Sequence, residues 1–156
     1  MILKLRQRMA RDESGFTLVE LLVVMLIIGL LAAIAIPAFF NQRDKAKDAS
    51  AKEMARTAET SMETYATDNG GTYSGVNPAA LNGIEQTVSV TTSTSDPYVS
   101  AAASAGTNNK GWTLTVQSPA TGNTFSIARN NTSGAVTFSC TAPGTAGCPT
   151  GGDWAH

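Results

Sequence analysis

From Leu21 to Phe40 the chain runs without a charged side chain, LLVVMLIIGLLAAIAIPAFF. Coiled as a helix, a run of about 20 residues is roughly 30 Å long, the thickness of the hydrocarbon core of a bilayer. A helix that is apolar on every side for that length has no face to turn to water, whereas a helix in a soluble core keeps a polar stripe. The run therefore reads as a membrane-spanning segment in preference to a core helix. Two of its residues weaken helical order: Gly29 by its backbone freedom, and Pro37 by removing a donor and crowding the preceding turn. Gly29, Ala32, Ala33, Ala35 and Ala38 also leave room for close approach of other helices.

The flanks of the run refine this reading. Residues 1–15 hold Lys4, Arg6, Arg8 and Arg11 and end in Asp12-Glu13-Ser14-Gly15, which suits a targeting segment. Ala33-Ile34-Ala35 offers an A-x-A-like signal-peptidase site, but Glu20 inside the apolar region that such a signal would need and the charged, glycine-terminated block before it speak for a different cut. Orientation stays open on charge alone, because Arg43, Lys45, Lys47, Lys52 and Arg56 follow the span closely. Four of the 11 basic and two of the 12 acidic residues precede Gly15, which leaves 7 and 10 in the remainder. Beyond Arg56 only Lys110 and Arg129 are basic, so no clustered cationic surface for nucleic acid is expected.

The block Gly15-Phe16-Thr17-Leu18-Val19-Glu20, followed at once by the uncharged span with Pro37, resembles the amino terminus of type IV pilins and their pseudopilin relatives. The likeness is dense over about 30 residues and looser as far as Tyr73, and it is far more specific than a lone short motif. It implies an α+β pilin fold, with a long amino-terminal helix, membrane-spanning in its first half, packed against a small antiparallel sheet. It also implies that a prepilin peptidase cuts between Gly15 and Phe16 and methylates the new amino group of Phe16. The implied partners are copies of the chain in a helical filament, the peptidase, the assembly machinery and, before assembly, the membrane. The implied locations are the cytoplasmic membrane for the precursor and an extracellular pilus afterwards. A secretion-system pseudopilin and a minor pilin for DNA uptake are the alternatives.

Physical chemistry agrees with the resemblance at two points. A lone carboxylate in an apolar setting costs several kcal/mol unless paired or neutralised. The amine freed at Phe16 is a partner for Glu20, on the same chain or on a neighbour, and the pair would fix the register of a docked subunit. In the resembled family the stretch between such a glycine and proline loses helicity on packing, which makes Gly29 through Pro37 the expected kink or melting segment.

After the span the pattern becomes one-sided. Ala51, Met54, Ala55, Ala58, Met62 and Tyr65 recur at three- and four-residue spacing, a stripe against which a sheet would pack. Lys52, Arg56, Glu59 and Glu63 fall opposite it, and Asp48 with Lys52 forms a favourable four-residue ion pair. Asp68-Asn69-Gly70-Gly71 supplies strong stop signals. Asn77-Pro78-Ala79-Ala80-Leu81 suggests a short capped helical turn, Gln86–Thr94 an edge strand, and Ser100–Asn109 a low-complexity surface loop. Alternation at Trp112, Leu114, Val116, then Phe125, Ile127, then Val136, Phe138, Cys140 predicts a three-stranded antiparallel meander. The expected division is thus leader 1–15, span 16–40, amphipathic helix 41–69, variable loops 70–109, and sheet with carboxy-terminal loop 110–156.

Cys140 and Cys148 are the only cysteines. In an exported domain a disulfide is the economical reading, closing so short a loop with roughly 2.5 kcal/mol of stabilisation on the entropy model. The pilin resemblance agrees, with free thiols as the alternative. Enzyme chemistry is not expected: the single histidine, His156, is the last residue, and no phosphate-cradling motif occurs. Cys140, Cys148, Asp153 and His156 lack metal-site spacing, and Asp153 alone follows Asp96 among the acids, too few hard ligands for calcium. No metal or other cofactor is expected. Asn130-Asn131-Thr132-Ser133 contains two overlapping glycosylation sequons.

Overall fold

The computed structural model describes residues 15–155; the expected leader, apart from Gly15, and His156 lie outside the described residues. One helix, α1 (Leu18–Asp68), contains both the apolar run and the amphipathic stretch, and it continues through Gly29 and Pro37. The chain divides at Phe39/Phe40 into two units, each taken by itself below.

Within the first unit the described residues 15–39 are the amino-terminal part of α1 and the short segment before it. None of them is buried, in keeping with a helix that is apolar on every side. Phe16 is 92% exposed and Ile34 71%.

The second unit is built on the carboxy-terminal part of α1. Asn69 and Gly70 end that helix with a left-handed reversal: Gly70 takes φ 65°, and the Gly71 N–H returns to the Ala66 carbonyl at 2.7 Å. A second helix, α2 (Pro78–Ile84), starts as its sequence predicts, with Asn77 accepting from the Ala80 N–H and Pro78 in the first turn. Four antiparallel strands follow in spatial order β1-β2-β3-β4: β1 (Tyr98–Ala105), β2 (Gly111–Gln117), β3 (Thr124–Arg129) and β4 (Val136–Cys140). Register places Leu114 opposite Ile127 and Val116 opposite Phe125, so one face collects the large apolar groups. Ala51, Ala55, Ala58 and Met62 of α1 are fully buried in the same core as Trp112, Leu114, Val116, Phe125 and Ile127. Small residues on the helix meet large ones on the sheet, and each large side chain so buried contributes about 1.5–3 kcal/mol.

Three expectations are corrected. The sheet has four strands, because Ser100–Asn109, read as a surface loop, largely belongs to β1. Its register slips between Val99 and Ala101, which breaks the alternation that would have revealed it, and its buried groups Val99 and Ala102 are small. Gln86–Thr94 is not a strand. Val88 is fully buried there, but its carbonyl accepts from the Asn82 amide and the Ser89 carbonyl from the Val99 N–H, so the apolar spacing marks packing without a ladder. Asp48 and Lys52 do not pair: Asp48 is buried against two loops, and the Lys52 ammonium lies 5.4 Å from the Phe125 ring centre.

Candidate functional site

The start of α1 is set by Thr17 and Glu20. Thr17 donates its N–H to Glu20 Oε2 at 2.9 Å and its hydroxyl to the same oxygen at 2.8 Å, while the Glu20 N–H returns to Thr17 Oγ1 at 3.2 Å. This is a reciprocal capping box, T-x-x-E, which satisfies backbone donors at a helix end. The Thr17-Leu18-Val19-Glu20 spacing announces it, yet reasoning about Glu20 as a lone charge overlooked it. In the uncut chain the hydrogen bonds of Glu20 therefore run to Thr17, with Phe16 one residue beyond. Gly29 has open space around it, and Pro37 is accommodated inside the helix.

Cys140 and Cys148 are joined, with Cα atoms 5.8 Å apart. The loop they close is held by the Cys140 N–H on the Gly152 carbonyl (2.9 Å) and the Gly144 N–H on the Cys148 carbonyl (3.0 Å). Its anchor on the helix is Asp48, a fully buried carboxylate. Asp48 accepts from the Gly147 N–H at 2.9 Å, from Asn123 Nδ2 at 2.7 Å and from the Thr121 hydroxyl. One side chain thereby ties α1 to the β2–β3 turn and to the disulfide loop. A Cβ at Gly147 would come within 2.5 Å of the Asp48 Cβ, so this contact requires glycine. The signal was present in the sequence, since Asp48 precedes Ala51 by three residues and extends the buried stripe.

Three of the residues expected opposite the stripe, Lys52, Arg56 and Glu63, also reach the sheet, while Glu59 pairs with Arg56. The Arg56 guanidinium stacks 4.1 Å from the Phe138 ring centre and 5.2 Å from that of Trp154. Trp154 is nearly buried and donates to the Ser139 carbonyl at 2.9 Å, fixing the carboxy-terminal segment under β3 and β4. Glu63 receives Arg129 Nη1 at 2.9 Å, the Tyr73 hydroxyl at 2.7 Å and the Trp112 indole N–H at 3.3 Å. Burial, followed by the adjoining Glu63 carboxylate, raises the Tyr73 hydroxyl above its ordinary value of 10.0. At the sequons, Asn130 Oδ1 accepts from the Thr132 and Ser133 N–H groups, and Asn131 Oδ1 accepts from the Lys110 N–H.

Residues 10–36 match the family model described as the prokaryotic N-terminal methylation motif. Relatives point the same way. The type II secretion system core protein G of Pseudomonas aeruginosa is 39% identical over 59 residues, covering 38% of this chain and 42% of that protein. The type IV wide pilus major component PilA4 of Thermus thermophilus is 41% identical over 71 residues, 46% of this chain and 53% of that one. The amino-terminal part of the chain is similar to that of pilins and pseudopilins. The type IV major pilin protein PilA of Myxococcus xanthus is 42% identical over 53 residues, 34% of this chain and 24% of its own length. The chain thus spans about half, or less, of the length of these relatives. A long amino-terminal helix and a small antiparallel four-stranded sheet are consistent with the α+β pilin fold.

Proposed function

We propose that this chain is the structural, major subunit of an extracellular type IV pilus, made as a membrane-anchored precursor. A prepilin peptidase cuts between Gly15 and Phe16, and Phe16 becomes the methylated amino terminus. Residues 16–40 rest in the bilayer and then move into the filament core, while residues 41–156 form the outward part of the subunit. The carrying observation is that every large apolar side chain between residues 18 and 40 is exposed, whereas the carboxy-terminal part of α1 buries one face in a core with the sheet. Left in water, each large apolar side chain forgoes about 1.5–3 kcal/mol, so the segment must be covered by lipid or by other copies.

The Glu20 capping box gives the cut a chemical consequence. Releasing Phe16 places an ammonium next to the Thr17 N–H that Glu20 already accepts, and a neighbour's ammonium is an alternative partner for the same carboxylate. Glu20 then serves as the register charge, with Gly29 through Pro37 as the stretch that yields on packing. A pseudopilin role is the second reading, favoured by the 39% identity to a type II secretion core protein G.

Electron microscopy of sheared surface filaments, with mass spectrometry of their subunit, tests the proposal. Long filaments whose subunit begins at methylated Phe16 are expected. An amino terminus at Met1, or one after Ala35, overturns the processing; absence of this chain from surface filaments moves the reading to the pseudopilin.

A further inference from the structure

A cavity of about 450 Å³ lies between the first turns of α1 in the second unit and the disulfide loop. Asn41, Asp44 and Lys45 line it from the helix, and Ala146, Pro149 and Thr150 from the loop. Elsewhere in this unit the carboxylates that meet the sheet and its loops are satisfied: Asp48 has three donors, and Glu63 has Arg129, Tyr73 and Trp112. The polar side chains around this cavity are not. Among the described residues, Asn41, Asp44, Lys45 and Thr150 make no side-chain hydrogen bond or ion pair with any other group, and Asp44 and Lys45 do not neutralise each other. A concavity lined by an acidic and a basic residue, neither paired within the chain, is complementary to a molecule that carries both signs.

Position along the chain says which molecule. Asn41 follows Phe40, the last residue of the uncharged run, so a chain with residues 16–40 in the bilayer holds Asn41 through Lys45 at headgroup depth. We infer that this cavity binds the phosphoethanolamine headgroup of a membrane phospholipid, with its phosphate on Lys45 and its primary ammonium on Asp44; the inference rests on the membrane reading above. Asn41 and Thr150 supply neutral donors and acceptors at the rim. Lys45 alone would accept any phospholipid phosphate. Asp44 sets the preference, because a phosphatidylglycerol headgroup offers it no cation and a phosphatidylcholine headgroup offers a cation with no N–H to donate. The site keeps the precursor seated with the disulfide loop at the membrane surface until the helix is drawn out.

The test uses the full chain reconstituted in nanodiscs of equal parts phosphatidylethanolamine, phosphatidylglycerol and phosphatidylcholine, released into native mass spectrometry to count retained lipids. Phosphatidylethanolamine should be retained in roughly tenfold excess over either competitor, the effect of one charge-assisted hydrogen bond. Asp44→Asn should bring its excess over phosphatidylglycerol close to one, Lys45→Gln should lower retention of all three, and Asp153→Asn should change nothing. Because Asp44 and Lys45 have no internal partner, both variants should melt with the unsubstituted chain, which separates lost binding from lost folding. Equal retention of the three lipids, or an undiminished excess in Asp44→Asn, overturns the site. Crosslinking between copies through Thr150→Cys without any headgroup preference also overturns it and gives the cavity to a second copy. A chain that does not enter the bilayer at all overturns the membrane reading and the site together; one that enters without preference overturns the site alone.

Discussion

The two stretches of α1 share a backbone conformation and little else. Between residues 18 and 40 every large apolar side chain is exposed; between Asp48 and Ala66 the residues at Asp48, Ala51, Ala55, Ala58, Ser61, Met62 and Ala66 are buried. The first stretch is apolar on all sides with branched and long side chains, so no single partner inside a chain of this size could cover it. The second is narrow, with mostly alanine on its buried face, and a sheet carrying Trp112, Phe125, Leu114 and Ile127 fills the space that the alanines leave. Secondary structure is therefore indifferent to what surrounds a helix. Width of the apolar face decides whether the partner is the same chain or something outside it.

The sharpest way to break that contrast is one charge in the second stretch. Ala55 is fully buried, and Ala55→Asp places an unpaired carboxylate there at a cost of several kcal/mol. Unfolding of the second unit, followed by near-ultraviolet dichroism in detergent, is the expected outcome, while membrane insertion of the apolar stretch stays as before. If insertion fails as well, the two stretches are not independent. Asp48→Ala ranks next. It strands the Gly147 N–H, Asn123 Nδ2 and the Thr121 hydroxyl, and a loss of about 3 kcal/mol in urea unfolding is expected. A loss under 1 kcal/mol would mean that water replaces the carboxylate.

Much of this architecture was legible because it follows from periodicity. The stripe from Ala51 to Met62, the stop at Asn69-Gly70, the cap at Asn77 and strands β2, β3 and β4 all declare themselves in spacing or turn chemistry. What stayed hidden depends on contacts between residues far apart in sequence. Asp48 meets Thr121, Asn123 and Gly147 across 73 to 99 positions; its place in line with the stripe hints at burial, but nothing local names these partners. β1 was hidden for a different reason, since an alanine-rich strand with a register slip carries almost no alternating signal. At the candidate site the reverse held: the Thr17–Glu20 box is local, written as T-x-x-E, and was passed over because Glu20 was weighed only as a charge.

Smaller effects sharpen the comparison within the second unit. Replacing Cys140 and Cys148 by serine should cost roughly 2.5 kcal/mol from the reopened loop, provided that Asp48 still holds Gly147. Combining this change with Asp48→Ala should then give less than the sum of the two losses, because both act on the same loop. Tyr73 gives a pH signature. Its proton is held more tightly in the folded than in the unfolded chain, so its contribution is fully present below pH 10 and is lost as pH rises through the higher folded value. Stability should therefore decline above about pH 10 more steeply than in Tyr73→Phe, by on the order of 1 kcal/mol per unit of difference between the two states. Parallel curves for the two proteins would remove Tyr73 from the account.

The smallest expected change in stability carries the most information about the first stretch. Glu20→Gln keeps the capping geometry, because a glutamine at this position also reaches back to the Thr17 N–H, and it removes only the charge. Helix content and melting should differ from the unsubstituted chain by a few tenths of a kcal/mol. If Glu20 acts only as a cap, subunits carrying this change assemble normally. If it is the register charge for the Phe16 ammonium of a neighbour, filaments should be lost while the precursor still enters the membrane. Glu20→Ala alone cannot separate these roles, since it removes the cap and the charge together. Comparing the two variants by filament yield and by membrane fractionation isolates the charge, and equal yields from Glu20→Gln and the unsubstituted chain would leave the helix cap as the whole function of this residue.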